Sequence, residues 1–143
     1  MPADRIVIDS GYLLESILPT KPAWQNEADE LIERLAERDI QGCVPWLFFA
    51  EIANVCYRKT QGKAIARKEA EYFLETVQNL GLDVDIQMDW PLQLFENAMS
   101  LQIQAYDRIY IDLSERMGGL PIASRDGGML AGARALRLPV FRP

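Results

Sequence analysis

The sequence predicts the α/β class, with a mostly parallel sheet covered by helices on both faces. Two observations carry that expectation. Short apolar runs such as Ile6-Val7-Ile8 alternate with longer stretches whose apolar residues recur at helical spacing. The junctions hold residues that start or stop helices: Pro45, Pro91 and the Gly118-Gly119 pair.

Residues 5–9 form the first expected strand, and GYLLESIL, residues 11–18, follows it as a helical apolar segment. Residues 24–38 are an amphipathic helix, with Ala28, Leu31, Ile32 and Leu35 at helical spacing and acids on the other face. A strand over 41–44 leads to Pro45 and a helix over 46–60. Beyond Gly62 comes a helix over 64–80, then a third strand over 83–87. Pro91 starts a helix running to 101, and residues 107–117 form another that stops at Gly118-Gly119. A strand over 120–124, a helix over 129–136 and a last strand over 138–141 complete the pattern. No repeat, low-complexity tract or Gly/Ser linker divides the chain, so a single domain is expected over residues 1–143.

The composition, 49% hydrophobic and 25% charged, is that of an ordinary globular protein. A chain of this length buries roughly two-thirds of its unfolded surface. No apolar run approaches the ~20 residues needed to cross a bilayer, so no membrane partner is expected. The start of the chain lacks a basic region followed by an apolar one, and a cytoplasmic location is the expectation. Cys43 and Cys56 lie on apolar segments without C-x-x-C spacing and read as buried, reduced thiols.

There is no histidine. That excludes Ser-His-Asp and Cys-His catalysis, histidine-pair ribonuclease chemistry and H-E-x-x-H zinc sites. Any chemistry must use carboxylates, hydroxyls, Lys or Arg. The net charge of −6 argues against passive, charge-driven binding of nucleic acid. Bound divalent cations would reverse the sign locally.

The acids are therefore the residues to follow. In open α/β sheets ligands bind beyond the carboxyl ends of the strands. Asp9 ends the first expected strand, and Asp126 follows the strand over 120–124 by two residues, so both face one edge. Glu51, Asn54 and Arg58 fall on one stripe of an otherwise apolar helix. Asp107 stands at a helix start. Each has a plain alternative: a solvated stripe for Glu51 and Arg58, a helix cap for Asp107, a turn residue for Asp126. Taken together they say more. Two like charges ~4 Å apart repel by about 4 kcal/mol at an effective dielectric of 20, so converging carboxylates need a compensating proton or cation. With oxygen ligands only, the expected ion is Mg²⁺ or Mn²⁺.

The stretches IVIDSGYLL, VPWLFFAEIANV and YDRIYIDLSERMGGLPIASRDGGMLAGARALRLPV resemble, in order and spacing, the acidic blocks of PIN-domain nucleases, and among these the VapC-type toxins of toxin–antitoxin pairs. The resemblance spans nearly the whole chain. It implies a three-layer α/β/α sandwich around a parallel sheet. It also implies an endoribonuclease, with Asp9, Glu51, Asp107 and Asp126 as catalytic and metal-binding acids supported by hydrogen bonds from Ser10 and Asn54. The implied reaction is hydrolysis of RNA by a metal-activated water, and the implied partners are a second copy in a homodimer and a cognate antitoxin. Arg108, Ser124-Arg125 and Arg137 depart from the family pattern, with Arg137 standing where Gly is common. Asp85, Asp89 and Asp112 have no motif support and are expected at solvated surface positions.

From Ile52 to Lys68 there is no acid, while Arg58, Lys59, Lys63, Arg67 and Lys68 are basic. This run either cradles phosphates or is a solvated helix–helix turn. Arg58, Arg108 and Arg125 are the candidate substrate-binding cations. Trp46, Phe48, Phe49, Tyr57, Tyr72 and Phe73 are candidates for a partner interface or for core. A haloacid-dehalogenase-like phosphatase would need a second Asp at Gly11, and a receiver domain would need paired acids and a late Lys, so both are disfavoured. A non-catalytic PIN-like RNA-binding or scaffold protein, or a housekeeping RNA-processing nuclease, remains the alternative.

Overall fold

Ile6, Val7 and Ile8 are almost wholly buried, as a strand covered on both faces requires. The computed structural model describes residues 4–143. This first strand, β1 (Asp4–Ile8), sits centrally in a four-stranded sheet that is parallel throughout. It pairs with β2 (Ile40–Pro45) on one side and β4 (Ile122–Ala123) on the other; β3 (Asp83–Asp85) pairs with β2 at the edge. The order is β3-β2-β1-β4.

Between the strands run α1 (Ser10–Leu14), α2 (Pro22–Ala36), α3 (Leu47–Gln61), α4 (Arg67–Gln78), α5 (Pro91–Leu101), α6 (Ala105–Arg116) and α7 (Gly127–Ala135). The helices flank the sheet in a three-layer α/β/α arrangement, the class the sequence predicts. α2 lies against β2, while α6 lies against β1 and β2. Tyr110, Ile111 and Leu113 of α6 are buried against this sheet, and Leu31 and Leu35 do the same for α2. Cys43 and Cys56 are buried and unpaired, as expected.

The chain passes from β1 to β2 to β3 on one side and then crosses to β4 on the other. The strand order thus reverses between β1 and β4. At such a switch point the connections leave in opposite directions and open a crevice at the carboxyl ends of the strands. Asp9 and Asp126 stand at that crevice.

Several element bounds differ from expectation for physical reasons. The helix expected over 64–80 starts at Arg67, because Lys63 takes a positive φ of 59° and the following turn tucks Ile65 into the core. The strand expected over 83–87 stops at Asp85. Ile86 and Met88 beyond it are exposed, with no further neighbour at the sheet edge. The strand expected over 138–141 shrinks to a single bridge between Val140 and Ile122, since Pro139 has no N–H to donate. Arg137 adopts φ 56°, the left-handed region that favours Gly. That is a physical reason for glycine at such a position.

Two of the acids expected at solvated positions are engaged instead. Asp112 is largely buried and ion-paired with Arg108 at 2.7 Å, and Asp85 pairs with Arg116.

Candidate active site

The site is assembled from four elements. Asp9 follows β1, Glu51 lies on α3, Asp107 is in the first turn of α6, and Asp126 caps α7. The backbone ties the first and last together, with Asp9 N–H donating to Ala123 O at 2.9 Å. One hydroxyl reinforces the link. Ser124 Oγ donates to Asp9 Oδ2 at 2.8 Å and accepts from Asp126 N–H at 3.0 Å. The Asp126 side chain accepts from Met129 N–H at 2.9 Å through Oδ1. It is therefore a helix cap, but one aimed at the other acids.

The four carboxyl groups feel one another. Burial pushes the Asp9 carboxyl up, and the Asp126 charge adds to this, while Ser124 and the N–H groups of Gly11 and Ser10 oppose it. Burial also raises Glu51. The Tyr110 hydroxyl holds it down in part by donating to Oε1 at 2.5 Å; the Asp9 charge raises it and Ser10 lowers it. The largest effect falls on Asp107. Burial, then the charges of Asp126, Asp9 and Glu51, push it up to about 7. Tyr110 is raised as well, by burial and by the Glu51 charge.

Gly128 adds a geometric point. A Cβ built on it would lie 3.2 Å from Asp126 Oδ1 and 3.3 Å from Asp107 Oδ2. The two carboxylates converge on a notch at Gly128 that a Cβ would crowd.

Among the described residues, no group of three or more His, Cys, Asp or Glu side chains is arranged to hold a metal ion as it stands. Each acid is instead satisfied locally: Asp9 by Ser124, Glu51 by Tyr110 and Asp126 by a backbone amide. At neutral pH Asp107 is held partly protonated. The donor set nevertheless fits a hard divalent ion, being made wholly of oxygen, with Asp107 and Asp126 meeting at the Gly128 notch and Asp9 and Glu51 close enough for their charges to be felt at Asp107.

Of the two expected supporting residues, Ser10 reaches an acid. Ser10 is buried and helps stabilise the charge on Glu51. Asn54 is exposed and lines the cavity beside Glu51. Ser124 and Tyr110 also take the supporting role, Ser124 as one of the residues that depart from the family pattern. Tyr110 stands one helical turn after Asp107, a spacing that places the two side chains on one face.

Two of the three candidate cations are committed elsewhere. Arg108 is buried, and its guanidinium reaches forward along α6 to Asp112 at 2.7 Å and Glu115 at 3.6 Å, and across to Asn97 O of α5 at 3.3 Å. Arg125 pairs with Glu15 at 2.5 Å and with Glu27, and it packs over the rings of Tyr12 and Trp24. Neither is free to meet a phosphate. Arg125 instead anchors the segment carrying Asp126 to α1 and α2. Replacing it with Ala should cost about 2 kcal/mol, because two acids lose a half-buried partner. Thermal melting of Arg125→Ala checks this, and an unchanged melting temperature would contradict the anchoring role. Arg58 is the exception. It is exposed and lines a cavity of about 490 Å³ beside Glu51 and Ser10.

No family model matches the chain, and no curated protein matches it. Among solved structures it is similar to one described as the crystal structure of PAE2754 from Pyrobaculum aerophilum. The TM-score is 0.64 at 20% identity, over 92% of this chain and 87% of the other. At that identity the likeness concerns the fold.

Proposed function

We propose that the protein is a Mg²⁺- or Mn²⁺-dependent endoribonuclease of the PIN-domain kind, acting as the toxin of a toxin–antitoxin pair. The observation that carries this reading is the gathering of four carboxyl groups, from four separate elements, at the switch point of a parallel sheet. Burial and then the charges of Asp126, Asp9 and Glu51 raise Asp107, and this crowding of acids has no structural benefit of its own. A cation relieves it. Asp9, Glu51, Asp107 and Asp126 would hold the ion.

When bound, such an ion supplies Lewis acidity and lowers the pKa of a water near the phosphodiester. The chain's own residues prepare the rest. Ser124 fixes the Asp9 carboxylate against β4, and Tyr110 fixes Glu51, so neither must reorganise on binding. The Gly128 notch leaves Asp107 and Asp126 open to the crevice. Arg58 stands nearby as a phosphate contact, with Lys59 and Lys63 further along the same exposed basic run.

A protein partner, either a second copy or an antitoxin, is part of the proposal. Trp46, Phe49, Tyr57 and Tyr72 are exposed and available for such contacts, whereas Phe48 and Phe73 are core. Among the described residues no helix is long and apolar enough to cross a membrane.

The test is cleavage of an unstructured RNA by the purified protein with Mn²⁺. Asp126→Asn should lower the rate at least about 10³-fold, the scale of several kcal/mol of charge stabilisation. Equal cleavage by both proteins would mean a contaminant or a different centre. RNA binding without cleavage would favour the non-catalytic alternative.

A further inference from the structure

The cavity of about 490 Å³ beside Glu51 has features that metal and phosphate do not explain. Trp46 and Tyr106 form two of its walls, with Asn54 and Arg58 on the same surface and Ser10 and Glu51 at its acidic side. Trp46 immediately precedes α3, and Tyr106 immediately precedes Asp107. The two residues are 45% and 65% exposed, so neither is needed to fill the core. Among the described residues neither ring stacks on another aromatic or on a cation. A cavity of this size lies within the range of roughly 300–1,000 Å³ that small ligands occupy.

We infer that Trp46 and Tyr106 form a stacking platform for an unpaired nucleobase, with Arg58 and Asn54 facing the adjoining sugar–phosphate. The inference rests on the ribonuclease reading and adds to it where a splayed base of the strand would sit, against these two rings beside the scissile phosphate. Every base has a π-face, so flat aromatic walls grip a strand without demanding one sequence. A base held in a duplex is already stacked and cannot enter. A protein partner suits this cavity less well, because its rim mixes aromatic walls with a cation, an amide and an acid. The second groove of the molecule offers the contrast. Pro91, Leu94, Phe95 and Met99 line it, and no charged residue does.

The test compares kcat/KM for a short unstructured oligoribonucleotide in Mn²⁺ across wild type, Trp46→Ala, Trp46→Phe, Tyr106→Ala and Trp90→Ala. Trp46→Ala and Tyr106→Ala should each lose roughly 5- to 100-fold, chiefly through KM. Trp46→Phe should restore most of the loss, and Trp90→Ala, an exposed tryptophan outside the cavity, should lose nothing. A complementary strand annealed to the substrate should slow wild type more than Trp46→Ala. Wild-type cleavage with Trp46→Ala equal to Trp46→Phe would overturn the platform and leave the nuclease standing. So would a Trp46→Ala variant whose only change is its oligomeric state in light scattering. If wild type cuts nothing, the ribonuclease reading fails. The platform is then decided by fluorescence anisotropy of the labelled oligonucleotide: binding lost in Trp46→Ala and kept in Trp46→Phe supports it, equal binding sinks it.

Discussion

Millimolar Mg²⁺ or Mn²⁺ should raise the melting temperature of the protein by roughly 5–10 °C, and Asp9→Asn should show no such rise. The size follows from linkage. An ion present at about 100 times its Kd stabilises the folded state by about 2.7 kcal/mol, and a domain of this length shifts by roughly 2–4 °C per kcal/mol. Asp9 is the acid to change because it lies between Asp126 and Glu51 electrostatically and is the most deeply set of the four. Asn keeps an acceptor for the Ser124 hydroxyl and removes a charge that burial and Asp126 both disfavour. Metal-free Asp9→Asn should therefore melt at the same temperature or higher. A variant that is less stable without metal, yet responds to Mg²⁺ as wild type does, would show that Asp9 has a structural role and holds no ion. Calorimetry or dye-free fluorescence melting of the two proteins, each with and without metal, separates these outcomes.

Much of the architecture is legible in the sequence because it is written in local patterns. Ile6–Ile8 of β1 and nearly all of β2 are runs of buried residues, and α2 and α6 carry their apolar positions at helical spacing. These elements lie within a few residues of their expected bounds. The weak places are elements made by neighbours rather than by their own residues. β3 has only three residues, two of them aspartates, and exists because β2 offers it a ladder. The acids themselves could be read from their positions after strands. Their donors could not, because Ser124 meets Asp9 across 115 residues and Tyr110 meets Glu51 across 59. The reach of Arg108 is hidden for a related reason. Adjacent side chains on a helix point in different directions, so standing beside Asp107 says nothing about where Arg108 reaches. Its pairing with Asp112 at i,i+4 was readable from spacing alone.

Replacing Asp107 with Asn should separate what this residue costs the fold from what it gives the site. Its carboxyl is pushed from an ordinary 3.8 up to about 7, first by burial and then by Asp126, Asp9 and Glu51. The folded state thus holds a proton that the unfolded chain releases near pH 4. The stability this contributes is complete below that point and disappears as pH rises through 7. Metal-free wild type should accordingly weaken between pH 4 and 8, and the raised carboxyls of Asp9 and Glu51 add to the slope in the same direction. Asp107→Asn should match wild type near pH 4, where both side chains are neutral. At pH 8 it should be more stable by about 2 kcal/mol, after allowance for the solvent that reaches this half-buried group. Cleavage should move the opposite way, falling at least about 10³-fold in Mn²⁺ at pH 8, because the neutral amide supplies no charge to a cation. Denaturant unfolding at the two pH values and a single-turnover cleavage assay test both halves. If the variant is less stable than wild type at pH 8, the repulsion attributed to the four acids is absent. If it is more stable and still cleaves at the wild-type rate, the acids repel one another without serving the reaction.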